Sequence, residues 1–131
     1  MPVYMIGIGS NIQAERNIPL AQQALEQLAE ILAISPVLKT AADGPHFSGS
    51  FHNQLLVLES PLDAKELKQA LLAIEESLGR EPKSPERRYH NRTIDLDILL
   101  QCDSVESCLN AELEENYYQA VLSHWNLEKS V

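Results

Sequence analysis

Apolar residues recur along this chain in two rhythms, alternate positions and helical spacing, and their order outlines a fold. "VYMIGIGS" (3–10) is a strand-like run ending at glycines. From Asn17 onward Leu20, Ala24, Leu28 and Ile31 or Leu32 recur at helical spacing, with Asn17 as N-cap and Pro19 in the first turn. "AISPVLKT" (33–40) predicts a strand, and Pro36 places it at a sheet edge or on a bulge. "TAADGPHFSGSFHN" (40–53) is turn-rich, and a connection that long in a compact domain often carries function. "NQLLVLES" (53–60) predicts the next strand. Asp63 and Glu66 have capping-box spacing, and Leu67, Leu71, Ile74 and Leu78 then line one helical face that Gly79 ends. "RTIDLDILL" (92–100) is the last strong strand. Leu113, Tyr117, Ala120, Val121 and His124 outline a final amphipathic helix between about Ala111 and Trp125.

The order β-α-β-β-α-β plus a C-terminal helix fits a ferredoxin-like α+β sandwich, a single domain over residues 1–131. Right-handed crossovers put both helices on one sheet face, leaving the other open or covered by loops and the last helix. In the last strand Ile94, Leu96 and Ile98 should face those helices. Thr93, Asp95 and Asp97 then point to the opposite side, with the two carboxylates roughly 7 Å apart along the strand. Like charges so placed repel unless a positive group lies beside them. A salt-bridged polar sheet face would satisfy this. So would magnesium, a hard cation that takes one or two carboxylates plus substrate phosphates.

Charge sharpens the picture. The net charge of −9 argues against nucleic-acid and membrane-surface partners. Yet "GREPKSPERRYHNR" gathers Arg80, Lys83, Arg87, Arg88 and Arg92, half of the 10 Lys and Arg residues, just before the carboxylate strand. Carboxylates for a metal and guanidiniums for phosphate are the parts that phosphoryl transfer needs. Cys102 and Cys108 are expected as reduced thiols. The N-terminus lacks a signal-peptide pattern and no stretch approaches a membrane span, so a cytoplasmic location is expected.

Five segments, in order, resemble the 6-hydroxymethyl-7,8-dihydropterin pyrophosphokinase family: "GIGSN", the "GP" of the long loop, "FHNQLLVLES", "IEESLGR" and "RRYHNRTIDLDILL". The resemblance implies transfer of diphosphate from ATP to a pterin alcohol with release of AMP. It assigns two magnesium ions to Asp95 and Asp97, and phosphate or nucleotide contacts to Arg80, Arg88, Arg92 and Glu75, with Arg80, Arg92 and the two aspartates catalytic; for Glu75 a solvated helix face is an equally good reading. The pterin side falls to Phe51 and Asn53, to Thr40, Ala41 and Asp43 in the loop, and to Tyr89. An ungapped match puts Tyr117 or Tyr118 near a second stacking position. The sequence departs from the family at Ala41 and Asp43. It has no match to the Pro-His motif past the last motif strand, and the family's C-terminal part is expected to be missing. Besides the small-molecule enzyme, two other readings remain: a non-catalytic pterin- or nucleotide-binding relative, and an interaction domain pairing through its open sheet face.

Overall fold

A computed structural model describes residues 1–41, 50–79 and 94–129. In chain order the elements are β1 (Val3–Ser10), α1 (Ala14–Glu26), β2 (Glu30–Ile34), β3 (Leu38–Ala41), β4 (Ser50–Glu59), α2 (Ala64–Ser77), β5 (Asp95–Cys102), α3 (Val105–Leu109) and α4 (Asn116–Lys129). The sheet runs β2-β4-β1-β5, with β3 also on β4, and every pairing is antiparallel. This is the ferredoxin-like arrangement.

The single edge strand expected around Pro36 is two strands sharing one edge of β4. β2 pairs with Leu56–Glu59, and β3 with Ser50–Asn53. Pro36 has no N–H to give to a ladder, and Ser35 fills the gap. Its N–H donates to the Leu55 carbonyl at 2.9 Å, and its Oγ accepts the Leu55 N–H at 2.8 Å. β4 therefore stays paired along its length and starts at Ser50, three residues before the run that predicted it.

Both helices lie on one face, as expected. Tyr4, Ile6, Ile8, Leu56, Leu58, Ile94 and Leu96 meet Ile18, Ala21 and Leu25 of α1 and Leu67, Leu71 and Ile74 of α2. The α2 capping box is formed: Asp63 Oδ1 accepts the Glu66 N–H at 2.8 Å, and Glu66 Oε1 accepts the Asp63 N–H at 3.0 Å. Gly79, at φ 100°, follows the helix in the left-handed region that glycine enters without strain.

Helix α1 corrects the assignment of Asn17 as N-cap. The helix starts at Ala14 after Gln13 in a left-handed conformation, with no side-chain cap. Asn17 is buried inside it and donates through Nδ2 to the Ile12 carbonyl at 2.7 Å. Pro19 accordingly sits within the helix, not in its first turn.

The second face carries its own core. Val3, Met5, Leu55 and Val57 meet Cys108 of α3 and Tyr118, Val121, Leu122 and Trp125 of α4. Those α4 positions follow i, i+3, i+4, i+7. The buried face is thus turned from the expected one: Tyr117, Ala120 and His124 are exposed. The turned face buries Trp125 and Tyr118, the larger apolar areas. Cys102 and Cys108 are bonded to each other, not reduced, and clip the end of β5 to α3. Asn126 Nδ2 donates to the Leu109 carbonyl at 2.9 Å, tying α4 to α3.

Candidate active site

Facing residues in neighbouring antiparallel strands project to the same side of a sheet. Gly9 in β1 faces Asn53 in β4 and Asp95 in β5; Gly7 faces Leu55 and Asp97. Two rows therefore cross three strands on the face opposite α1 and α2, one ending in an amide and a carboxylate, the other in a leucine and a carboxylate. Both rows have glycine at the centre. With strands about 4.8 Å apart, β1 leaves a lane free of its own side chains, about 10 Å across between β4 and β5, and this trough is occupied by Tyr118 of α4. A Cβ on Gly9 would stand 3.0 Å from Asn53 Oδ1. The glycines of "GIGSN" thus keep the floor free of β1 side chains.

Asp95 and Asp97 are each half-buried on the same side of β5, as alternation predicts, while Ile94 and Leu96 are buried on the helix side. Asn53 is only 4% exposed, and Phe51, two residues before it on the same face, is half-buried. Thr40 of β3 is in register with Phe51, and Ala41 with Ser50. The structure thus brings Phe51, Asn53, Asp95 and Asp97 to one sheet face. Asp43, Tyr89, Arg80, Arg88 and Arg92 lie outside the described residues.

Glu75 stands elsewhere. It is 2% exposed, not on a solvated helix face, and its Oε2 accepts the Leu96 backbone N–H at 2.6 Å. It links α2 to the residue between the two aspartates, from the edge of β5.

Of the two tyrosines, Tyr118 is the one at the trough. It is 2% exposed, against 48% for Tyr117. Its ring lies on Gly7, where a Cβ would come within 2.5 Å of Cζ and 2.8 Å of Cε1 and Cε2. Its hydroxyl reaches to 3.5 Å from the corresponding point on Gly9. Burial pushes the phenol well above its usual pKa; Asp97 and then Asp95 push it further, so the hydroxyl stays protonated. The sequence signal for this residue was the i, i+3, i+4, i+7 series through Trp125. The signal for the floor was two glycines of equal parity on one strand.

Among the described residues no group of three or more His, Cys, Asp or Glu could hold a metal ion by itself. The pair Asp95 and Asp97 nevertheless suits magnesium. Its donors are hard carboxylate oxygens on one side of a strand, and magnesium is commonly held by one or two carboxylates with phosphates completing the shell.

The family described as "7,8-dihydro-6-hydroxymethylpterin-pyrophosphokinase (HPPK)" matches residues 5–126. A Porphyromonas gingivalis protein named 2-amino-4-hydroxy-6-hydroxymethyldihydropteridine pyrophosphokinase is 34% identical over 104 residues, 76% of this chain and 69% of its own length. A Pseudomonas aeruginosa protein of the same name is 37% identical over 98 residues, 72% of this chain and 59% of its own length. No helix among the described residues is long and apolar enough to cross a membrane. The match to nearly the whole chain, on a fold that brings its paired aspartates and asparagine to one face, places this protein in the 7,8-dihydro-6-hydroxymethylpterin-pyrophosphokinase family.

Proposed function

We propose that this chain transfers diphosphate from ATP to the hydroxymethyl group of 6-hydroxymethyl-7,8-dihydropterin, releasing AMP. The observation that carries the reading is the row Asn53–Gly9–Asp95: a substrate-reading amide and a metal-suited carboxylate on one face, in register through a glycine of β1. The Asn53 amide donates and accepts at once, which suits the polar edge of a pterin. Phe51, two residues along the same face, offers a ring to stack on the flat heterocycle.

In the reaction the hydroxymethyl oxygen attacks the β-phosphorus of ATP and loses its proton. A new O–P bond forms, the bond from the β-phosphorus to the bridging oxygen breaks, and AMP leaves with that oxygen. Asp95 and Asp97 are the residues that would hold the two magnesium ions. Magnesium when bound neutralises phosphate charge and eases deprotonation of the alcohol. Arg80, Arg88 and Arg92 supply guanidiniums for the phosphates, a geometry that Arg suits better than Lys. Catalysis in such a site is mainly positioning and charge stabilisation.

The test is direct. The protein is incubated with ATP, millimolar magnesium and the pterin alcohol, and products are separated chromatographically. The reading expects AMP and diphosphorylated pterin in equal amounts. Pterin binding without AMP release would instead identify a non-catalytic relative.

A further inference from the structure

Asn53, the amide on which the pterin reading rests, is only 4% exposed. Tyr118 is the α4 side chain that reaches it. A Cβ on Gly9 would stand 3.0 Å from Asn53 Oδ1 and 3.5 Å from the Tyr118 hydroxyl oxygen, so amide and phenol flank one point of the floor. The tyrosine ring itself lies on Gly7 and is 2% exposed. A flat heterocycle read by an amide needs its polar edge against that amide and room beside it. Tyr118 fills that room, so this conformation is closed to a ligand of Asn53.

The closure hangs on a single turn of helix. Tyr118 is the third residue of α4. The turn is closed by the N–H groups of Tyr118 and Gln119, which donate to the Glu115 carbonyl at 3.1 and 2.9 Å. Gln119 Oε1 also accepts the Leu113 N–H at 2.8 Å. The rest of the helix is seated separately. Val121, Leu122 and Trp125 pack on Met5, Leu55 and Val57, and Asn126 donates to the Leu109 carbonyl. Terminal turns open at a lower free-energy cost than packed interiors do. Tyr118 can therefore leave the trough while the body of α4 stays in place.

We propose that the first turn of α4 is a gate on the pterin site: Tyr118 closes the trough over Asn53, and a pterin enters when that turn opens and lifts the ring from Gly7 and Gly9. The inference rests on the reading of Asn53 as the pterin contact. A gate of this kind lowers the apparent affinity by the fraction of molecules that are open. With an open form populated at about 10% or less, removing the plug raises affinity by about tenfold or more.

The test compares wild type with Tyr118→Ala, which removes the plug. The pterin alcohol is titrated by calorimetry with magnesium and a non-hydrolysable ATP analogue present. Fluorescence of Trp125, the only tryptophan and on the same helix, checks that the body of α4 stays seated. The expected result is an unmoved Trp125 signal and pterin binding tighter by about tenfold or more. Equal or weaker binding by the folded variant overturns the proposal; weaker binding would mean that Tyr118 holds the pterin instead of excluding it. If Tyr118→Ala does not fold, hydrogen exchange in wild type decides. The amides of Tyr118 and Gln119 must exchange faster with the pterin bound, because their bonds to Glu115 open with the gate. Unchanged or slower exchange overturns the proposal. Tighter binding by the variant with no AMP release by wild type upholds the gate and removes the activity. Absence of pterin binding by both proteins removes both.

Discussion

Glu75 and Leu96 are joined across two elements: the buried Glu75 carboxylate accepts the Leu96 backbone N–H at 2.6 Å. Leu96 lies between Asp95 and Asp97, so this bond holds the carboxylate strand against α2 at the point where its chemistry is displayed. Glu75→Leu strands that N–H in an apolar setting, at a cost of about 2 kcal/mol. Glu75→Gln keeps an acceptor and should lose distinctly less. Urea denaturation of both variants gives the comparison, and equal losses would show that the bond contributes nothing specific.

Gly7 and Tyr118 form an interlock with a measurable coupling. Gly7→Ala places a methyl where ring carbons already stand, within 2.5 Å of Cζ. Overpacking of this kind costs about 1–3 kcal/mol. Tyr118→Ala removes the obstacle, so adding Gly7→Ala to it should cost much less than in wild type. A double-mutant cycle reads the difference, and simple additivity would contradict the contact.

Much of this arrangement was legible in the chain. The alternation in "TIDLDILL" placed Ile94 and Leu96 under the helices and Asp95 and Asp97 on the other face, because at this end of the strand only one parity is apolar and a slip of one residue would bury the carboxylates there. Asp63 and Glu66 announced α2 because a capping box is a local device. Less local features were harder to see. Helix α1 begins at Ala14 from a left-handed Gln13 without a side-chain cap, and so carries no N-cap signature. The buried face of α4 was misread because Tyr117 and Tyr118 are adjacent, and only docking on Met5, Leu55 and Val57 decides which faces in. Glu75 resembled a solvent-facing helix residue because its partner is a backbone amide 21 positions away.

The cysteine pair is a similar case. Nothing in a six-residue separation shows that α3 folds back over the end of β5, yet that turn brings Cys102 to Cys108. In the chain-entropy picture a loop this short contributes about 2 kcal/mol. Denaturation with and without a dithiol reductant should differ by that order, and Cys102→Ser should make the two curves coincide. Identical curves for the unsubstituted protein would mean that the bridge adds no stability.

Two buried phenols give the protein an alkaline limit. Burial, and then Asp63 and Glu66, raise the pKa of Tyr4, whose hydroxyl donates to the Leu62 carbonyl at 2.8 Å. Burial, Asp97 and Asp95 raise that of Tyr118. The folded state therefore holds both protons more tightly than the unfolded chain does. That contribution is complete below the ordinary tyrosine value of about 10 and is lost as pH climbs from there through the folded-state values. Stability measured in metal-free buffer should fall above about pH 10. Tyr118→Phe should fall less steeply, and an unchanged slope would contradict the assignment.

The central claim is that Asp95 and Asp97 act together from one side of β5 in diphosphate transfer. The most direct measurement is AMP release from ATP and 6-hydroxymethyl-7,8-dihydropterin by wild type, Asp95→Ala and Asp97→Ala, with folding checked by circular dichroism. The account predicts turnover by wild type and a loss of at least about a hundredfold in each variant, with the fold retained. Near-native turnover by either folded variant would contradict it.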